Sequence, residues 1–202
     1  MEKTKYEDKF NVMIIGDEKV GKTAILERFL KKTFLSERKQ TIGIEHYDKT
    51  VKVNNKDYLF KVWDTAGQEK FRVMARSYYQ KAHGMILSCA VNNRDSFSNL
   101  RVWLSNLKDT VGIESIQLII IANKCDLEDE REVSTEEIKQ KAAELGIEYF
   151  ETSAKTGNSV DEAFDTIFKK VYQSVYNKKN GFDLNDDGND SGSGGILRKC
   201  CK

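Results

Sequence analysis

The chain has 202 residues, room for one ordinary α/β domain and a tail. Lys and Arg number 33 against 32 Asp and Glu, a formal net charge of +1, so overall charge points to neither nucleic acid nor a membrane surface. No apolar run has signal-peptide or membrane-spanning length, and the four cysteines form no disulfide framework, which fits a reducing cytosol.

Residues 1–8 are polar and expected to be mobile. Val12-Met13-Ile14-Ile15 reads as a strand. Gly16-Asp17-Glu18-Lys19-Val20-Gly21-Lys22-Thr23 follows and fits GxxxxGK[ST]. A helix from Ala24 to about Lys32 comes next, with apolar residues on one face. Residues 33–43 lack periodicity and read as an exposed loop. Strands are expected over Ile44–Val53 and residues 58–63, joined by the turn Asn54-Asn55-Lys56-Asp57. Residues 64–81 read as a second mobile loop with some helix. Residues 85–91 and 118–122 are apolar on both faces, as inner strands of a parallel sheet are. Between them Phe97, Leu100, Leu104 and Leu107 fall at helical spacing. A helix near Thr135–Leu145, a strand at Glu148–Thr152 and a helix over residues 160–176 complete the alternation. Proline is absent, so turns rely on Gly, Asn and Asp.

Strands alternating with helices predict an α/β fold: a six-stranded, mostly parallel sheet with helices on both faces and one antiparallel edge strand. Three regions follow: a mobile N-terminus (1–8), a folded domain (9–176) and a flexible tail (177–202). In the tail, residues 183–188 copy the first half of a calcium-binding loop. Gly194 stands where that loop needs its bidentate Glu, so no calcium site is expected.

Strand, glycine-bounded turn and helix in that order make a phosphate cradle. Loop N–H groups face inward and the positive end of the helix dipole lies behind them. Lys22 can reach outer phosphates as a point charge, and the Thr23 hydroxyl can ligate magnesium. Three further motifs end strands. In Asp64-Thr65-Ala66-Gly67-Gln68-Glu69, the Asp64 carboxylate can hold magnesium through water, Gly67 can offer its N–H to a terminal phosphate, and Gln68 can orient an attacking water. In Asn123-Lys124-Cys125-Asp126, the Asp126 carboxylate can accept from the ring N–H and exocyclic amine of guanine. Adenine lacks that donor pair, which argues against a P-loop kinase or ATPase. In Glu151-Thr152-Ser153-Ala154-Lys155, backbone N–H groups can meet the guanine carbonyl.

These four motifs, in this order, resemble those of Ras-superfamily small GTPases, over roughly residues 8–176. Gln40-Thr41-Ile42-Gly43-Ile44, Trp63 through Glu69, Ser77-Tyr78-Tyr79 and Ala82-His83-Gly84 resemble the Rab family more than Ras, Rho or Arf. The resemblance implies the P-loop NTPase fold and a slow, magnesium-dependent GTPase, a GTP/GDP switch of vesicular membrane trafficking. It implies a nucleotide site at Gly16 to Thr23, Ala24, Phe34, Thr41, Gly67, Asn123, Lys124, Asp126, Leu127, Ser153, Ala154 and Lys155. Thr41 ligates the metal with Thr23 and Asp64, while its N–H meets the γ-phosphate. Lys22, Thr41 and Gln68 are the catalytic set. Phe34 lies against the base, Lys124 and Lys155 pack over it, and Asn123 braces the phosphate loop. No arginine stands out as an intrinsic finger, and Arg38 is read as solvated. Ile44, His46, Trp63 and Tyr78 form the effector surface. Expected partners are an exchange factor (GEF), a GTPase-activating protein (GAP), Rab escort protein, GDP-dissociation inhibitor and effectors, with no nucleic acid.

Two departures from the Rab pattern stand out. Glu18 is a carboxylate close to the phosphate site, so a GTP-binding adaptor with little hydrolysis is the alternative reading. His46 replaces the usual Phe, which makes the effector surface more polar. Cys200-Cys201-Lys202 does not fit C-a-a-X but resembles the doubly prenylated ends of Rab proteins. Two lipid chains suffice for stable anchoring. The expected location is the cytoplasmic face of intracellular membranes, with a cytosolic pool.

Overall fold

The computed structural model describes residues 6–35, 41, 43–65, 78–112 and 116–179. Its elements are β1 (Lys9–Gly16), α1 (Lys22–Lys31), β2 (Ile44–Val53), β3 (Lys56–Thr65), β4 (Gly84–Ala90), α2 (Arg94–Ser98), α3 (Leu100–Val111), β5 (Gln117–Asn123), α4 (Thr135–Leu145), β6 (Glu148–Thr152) and α5 (Val160–Lys179).

The six strands form one sheet in the order β2-β3-β1-β4-β5-β6. Strand β2 runs antiparallel to β3, and every other pairing is parallel. The sheet alternates its side chains between two apolar layers, because successive strand residues point to opposite faces. Val12 and Ile14 of β1 join Ile25, Phe29, Phe164 and Ile167 beneath α1 and α5. Met13 and Ile15 join Leu100, Leu104, Leu107 and Ile138 beneath α3 and α4. Each fully buried Leu, Ile or Phe stabilises the fold by about 1.5–3 kcal/mol. All seven residues of β4 are buried, which is why its sequence shows no alternation.

Several boundaries differ from expectation. The hairpin turn has two residues, Asn54 and Asn55, with φ of 50° and 61°. Both central residues of this tight turn need positive φ, which Asn tolerates. Lys56 and Asp57 therefore belong to β3, with Val53 paired to Lys56. The helix expected around residues 97–107 is two helices that meet at Asn99. Its first part starts where the Asn93 side chain accepts a 2.7 Å bond from the Ser96 N–H. Within the stretch expected to be mobile, the Glu7 N–H donates to the Asp57 carbonyl, and the Asp8 carbonyl accepts from the Leu59 N–H. Helix α4 starts with a reciprocal capping box between Ser134 and Glu137. Among the described residues, no helix is long and apolar enough to cross a membrane.

Candidate functional site

The carboxyl ends of the parallel strands share one edge of the sheet, and the loops leaving them build the site, as in other open α/β sheets. A cleft of about 650 Å³ opens there, within the range of small-molecule sites. Its walls include Glu18, Lys19, Gly21, Lys22, Thr23 and Ala24 from the first loop and helix, and Phe34, Leu35 and Thr41 from the next loop. Asn123, Lys124, Asp126, Leu127, Ala154 and Lys155 close the other side.

The phosphate loop runs close against its neighbours at both glycines. A Cβ on Gly16 would stand 2.0 Å from the Ser88 carbonyl oxygen, and one on Gly21 would stand 2.4 Å from Asn123 Nδ2. Both have positive φ, 144° and 96°, so no other residue fits easily. Lys22 is buried at 5% exposure, and its Nζ donates to the carbonyls of Gly16 (2.9 Å) and Asp17 (2.7 Å). Burial lowers its pKa to about 8, offset in part by the carboxylates of Asp64, Asp17 and Glu18. The ammonium is thus poorly solvated and close to a concave row of loop atoms, which favours an anion beside it. Glu18 and Lys19 are exposed.

Thr23, Thr41 and Asp64 converge from three segments. Thr23 Oγ1 donates to Asp64 Oδ2 at 2.5 Å and lies 2.8 Å from Thr41 Oγ1. Asp64 is fully buried, and its Oδ1 has no hydrogen-bond partner among the described residues. Burial raises its pKa, against the opposing Thr23 hydrogen bond and Lys22 charge. Two hydroxyls and one buried carboxylate with an unused oxygen are hard oxygen donors of the kind magnesium takes. One carboxylate alone matches an ion that shares its shell with water and phosphate.

Asn123 ends β5 and ties the two sides of the cleft. Its Nδ2 donates to the Val20 carbonyl at 2.8 Å, while its Oδ1 accepts from Thr152 Oγ1 (3.3 Å) and from the Ala154 N–H (3.2 Å). A purine carbonyl reaching Ala154 would have to share that N–H. Asp126 accepts a 2.6 Å bond from Ser153 Oγ and keeps Oδ2 3.9 Å from Lys155 Nζ. Lys124 adopts φ 68°, and burial lowers its pKa, opposed by Glu130 and Asp126.

Two cleft residues and one tether went unread in the sequence. Leu35 and Thr65 line the cleft. Arg28 of α1 donates to the carbonyls of Lys32, Ala154 and Lys155, fastening α1 to the loop after β6. An isolated Arg in the last turn of a helix carries no signal of such a reach.

Of the four residues expected on an effector surface, His46, Trp63 and Tyr78 meet. Trp63 faces His46 across the β2–β3 pairing, ring centroids 4.7 Å apart, and Tyr78 at 5.2 Å. Ile44, Trp63 and Tyr78 are partly buried against the apolar layer under α3 and α4. His46 Nε2 lies 3.2 Å from Lys61 Nζ. Arg38, Gly67, Gln68, the calcium-like segment 183–188, Cys200 and Cys201 lie outside the described residues.

Known proteins with related sequences bear on this arrangement. The family model described as "Ras family" matches residues 11–173. The chain is 37% identical to GTP-binding protein ypt2 of Schizosaccharomyces pombe, over 97% of this chain and 98% of that one. It is 42% identical to Ras-related protein RABD2c of Arabidopsis thaliana, over 79% of this chain and 78% of that one. Against human Ras-related protein Rab-8B, identity is 37% over 96% of this chain and 90% of the relative. The chain belongs to the Ras superfamily and, within it, to the Rab family of small GTPases, which bind GTP and GDP and hydrolyse GTP.

Proposed function

We propose that this GTPase is a switch of vesicular membrane trafficking: it binds GTP with magnesium, hydrolyses it slowly to GDP, and recruits effectors to a membrane while GTP is bound. The observation that carries the reading is one cleft lined by Lys22, Thr23 and Thr41 at one part and by Asp126 and Lys155 at another.

In this mechanism the Gly16–Thr23 loop and the Lys22 ammonium offset charge on the outer phosphates. Thr23, Thr41 and Asp64 hold magnesium, which when bound supplies further charge neutralisation. Gln68 orients the attacking water, and the Thr41 and Gly67 N–H groups meet the terminal phosphate. Asp126 selects guanine; Phe34, Lys124 and Lys155 pack on the base, and Leu127, Ser153 and Ala154 complete its pocket. Catalysis is by positioning and charge, and an arginine supplied in trans is worth roughly 10³–10⁵ in rate. An exchange factor, a GAP, Rab escort protein and GDP-dissociation inhibitor act on the cycle. Cys200 and Cys201 carry prenyl groups that hold the protein on the cytoplasmic face of endomembranes, with a cytosolic pool.

A fluorescent GTP analogue, challenged with ATP or GTP and followed by single-turnover hydrolysis with and without magnesium, tests the reading. Displacement by GTP alone and turnover that needs the metal support it. Equal displacement by ATP overturns it. The adaptor alternative built on Glu18 gains no support from the relatives, and a measurable single-turnover rate removes it.

A further inference from the structure

Asp17 is the second residue of the phosphate loop, where a free carboxylate would repel phosphate oxygens. Its side chain is engaged with α3 instead. Oδ2 accepts a 2.7 Å bond from Asn99 Nδ2, and Oδ1 accepts a 2.8 Å bond from Trp103 Nε1. Both oxygens are therefore held, by donors four residues apart on one helix face.

The donors are themselves fixed. Trp103 is 3% exposed within the apolar layer under α3, and its backbone N–H donates to the Asn99 carbonyl at 3.0 Å. Asn99 joins α2 to α3, its own N–H bonded to the Asp95 carbonyl at 2.9 Å. The carboxylate also sits beside the first turn of α3, at the positive end of the helix dipole. Meanwhile the Asp17 carbonyl accepts from Lys22 Nζ.

We propose that Asp17 is a positioning residue: its carboxylate, clamped by Asn99 and Trp103, fixes the phosphate loop to α3 and so holds the Lys22 ammonium and the loop N–H groups in place for the nucleotide. The same two bonds occupy both carboxylate oxygens with donors of α3. The inference rests on the reading of this loop as the guanine-nucleotide site.

The test measures uptake and release of a fluorescent GDP by the full chain. In Asp17→Asn the new amide presents N–H to a donor, so release accelerates about tenfold or more, while binding stoichiometry stays as in the parent. Trp103→Phe keeps the ring and loses the donor, and accelerates release in the same direction. The pair Asp17→Asn with Asn99→Asp reverses donor and acceptor while the Trp103 bond survives, and brings release back toward the parent rate. Parent-like release from both single variants overturns the inference, as does lowered stoichiometry with an unchanged release rate, which marks a folding role only. A reversed pair as fast as Asp17→Asn also overturns it. If Asp17→Asn does not fold, the Trp103→Phe rate decides. A parent chain that takes up no GDP overturns the proposed function along with the inference, so the two failures are distinct.

Discussion

Arg28 and Ala154, separated by 126 positions in the chain, are joined by a 2.6 Å hydrogen bond from the Arg28 Nε to the Ala154 carbonyl. The same guanidinium reaches the Lys32 and Lys155 carbonyls, so a single side chain ties the helix after the phosphate loop to the loop after β6. Arg28→Lys retains the charge, but one ammonium cannot reproduce a planar fork over three acceptors. Losing two such bonds is worth about 1–3 kcal/mol. Titration with fluorescent GDP should show affinity reduced about tenfold or more; unchanged affinity would mean the tether is incidental.

Asp126→Asn removes charge and puts an amide N–H where guanine offers donors. The Ser153 hydroxyl already occupies one carboxylate oxygen, so little is left to compensate. Calorimetric titration should record GDP affinity falling by at least about a hundredfold, with the preference over ADP largely lost. A variant that still prefers GDP by the parental ratio would assign base choice elsewhere.

Gly16 and Gly146 separate crowding from backbone conformation. At Gly146, φ is +64° and nothing stands within 4 Å of an added Cβ, so Gly146→Ala should cost about 1 kcal/mol, the left-handed penalty alone. At Gly16 the added atom meets the Ser88 backbone, and the cost should reach about 3 kcal/mol. Urea unfolding of both variants checks the order, and equal losses contradict it.

Glu137 ties α4 to the start of α2. Arg94 and Ser134 donate to its carboxylate and hold its pKa down at about 2, against an ordinary 4.5. A depressed carboxylate contributes stability that is complete above its unfolded pKa and is lost as the group protonates. The melting-temperature advantage of the parent over Glu137→Gln should therefore be flat above about pH 5.5 and shrink as pH falls from 4.5 toward 2. A gap independent of pH would show that the carboxylate's charge is irrelevant.

The inner strands were legible because burial on both faces leaves an unbroken apolar run, as in Met85-Ile86-Leu87. The site motifs were legible because glycines and charged residues at strand ends have few structural alternatives. The two tethers were not. Asp17 reads as one more polar loop residue until Trp103 is seen beside it. Arg28 looks like surface charge until the chain folds back 126 residues later. The split at Asn99 was hidden too, since the apolar spacing of Phe97, Leu100 and Leu104 runs straight through it.

The two outermost strands of the sheet are guarded by different means. Strand β2 turns exposed Glu45, His46, Asp48, Thr50 and Lys52 toward solvent, and β6 is only five residues long. Charge blunts one rim and brevity the other, the devices by which open sheets avoid templating fibres. Copies of the domain at high local concentration would stay separate rather than zip together along either rim.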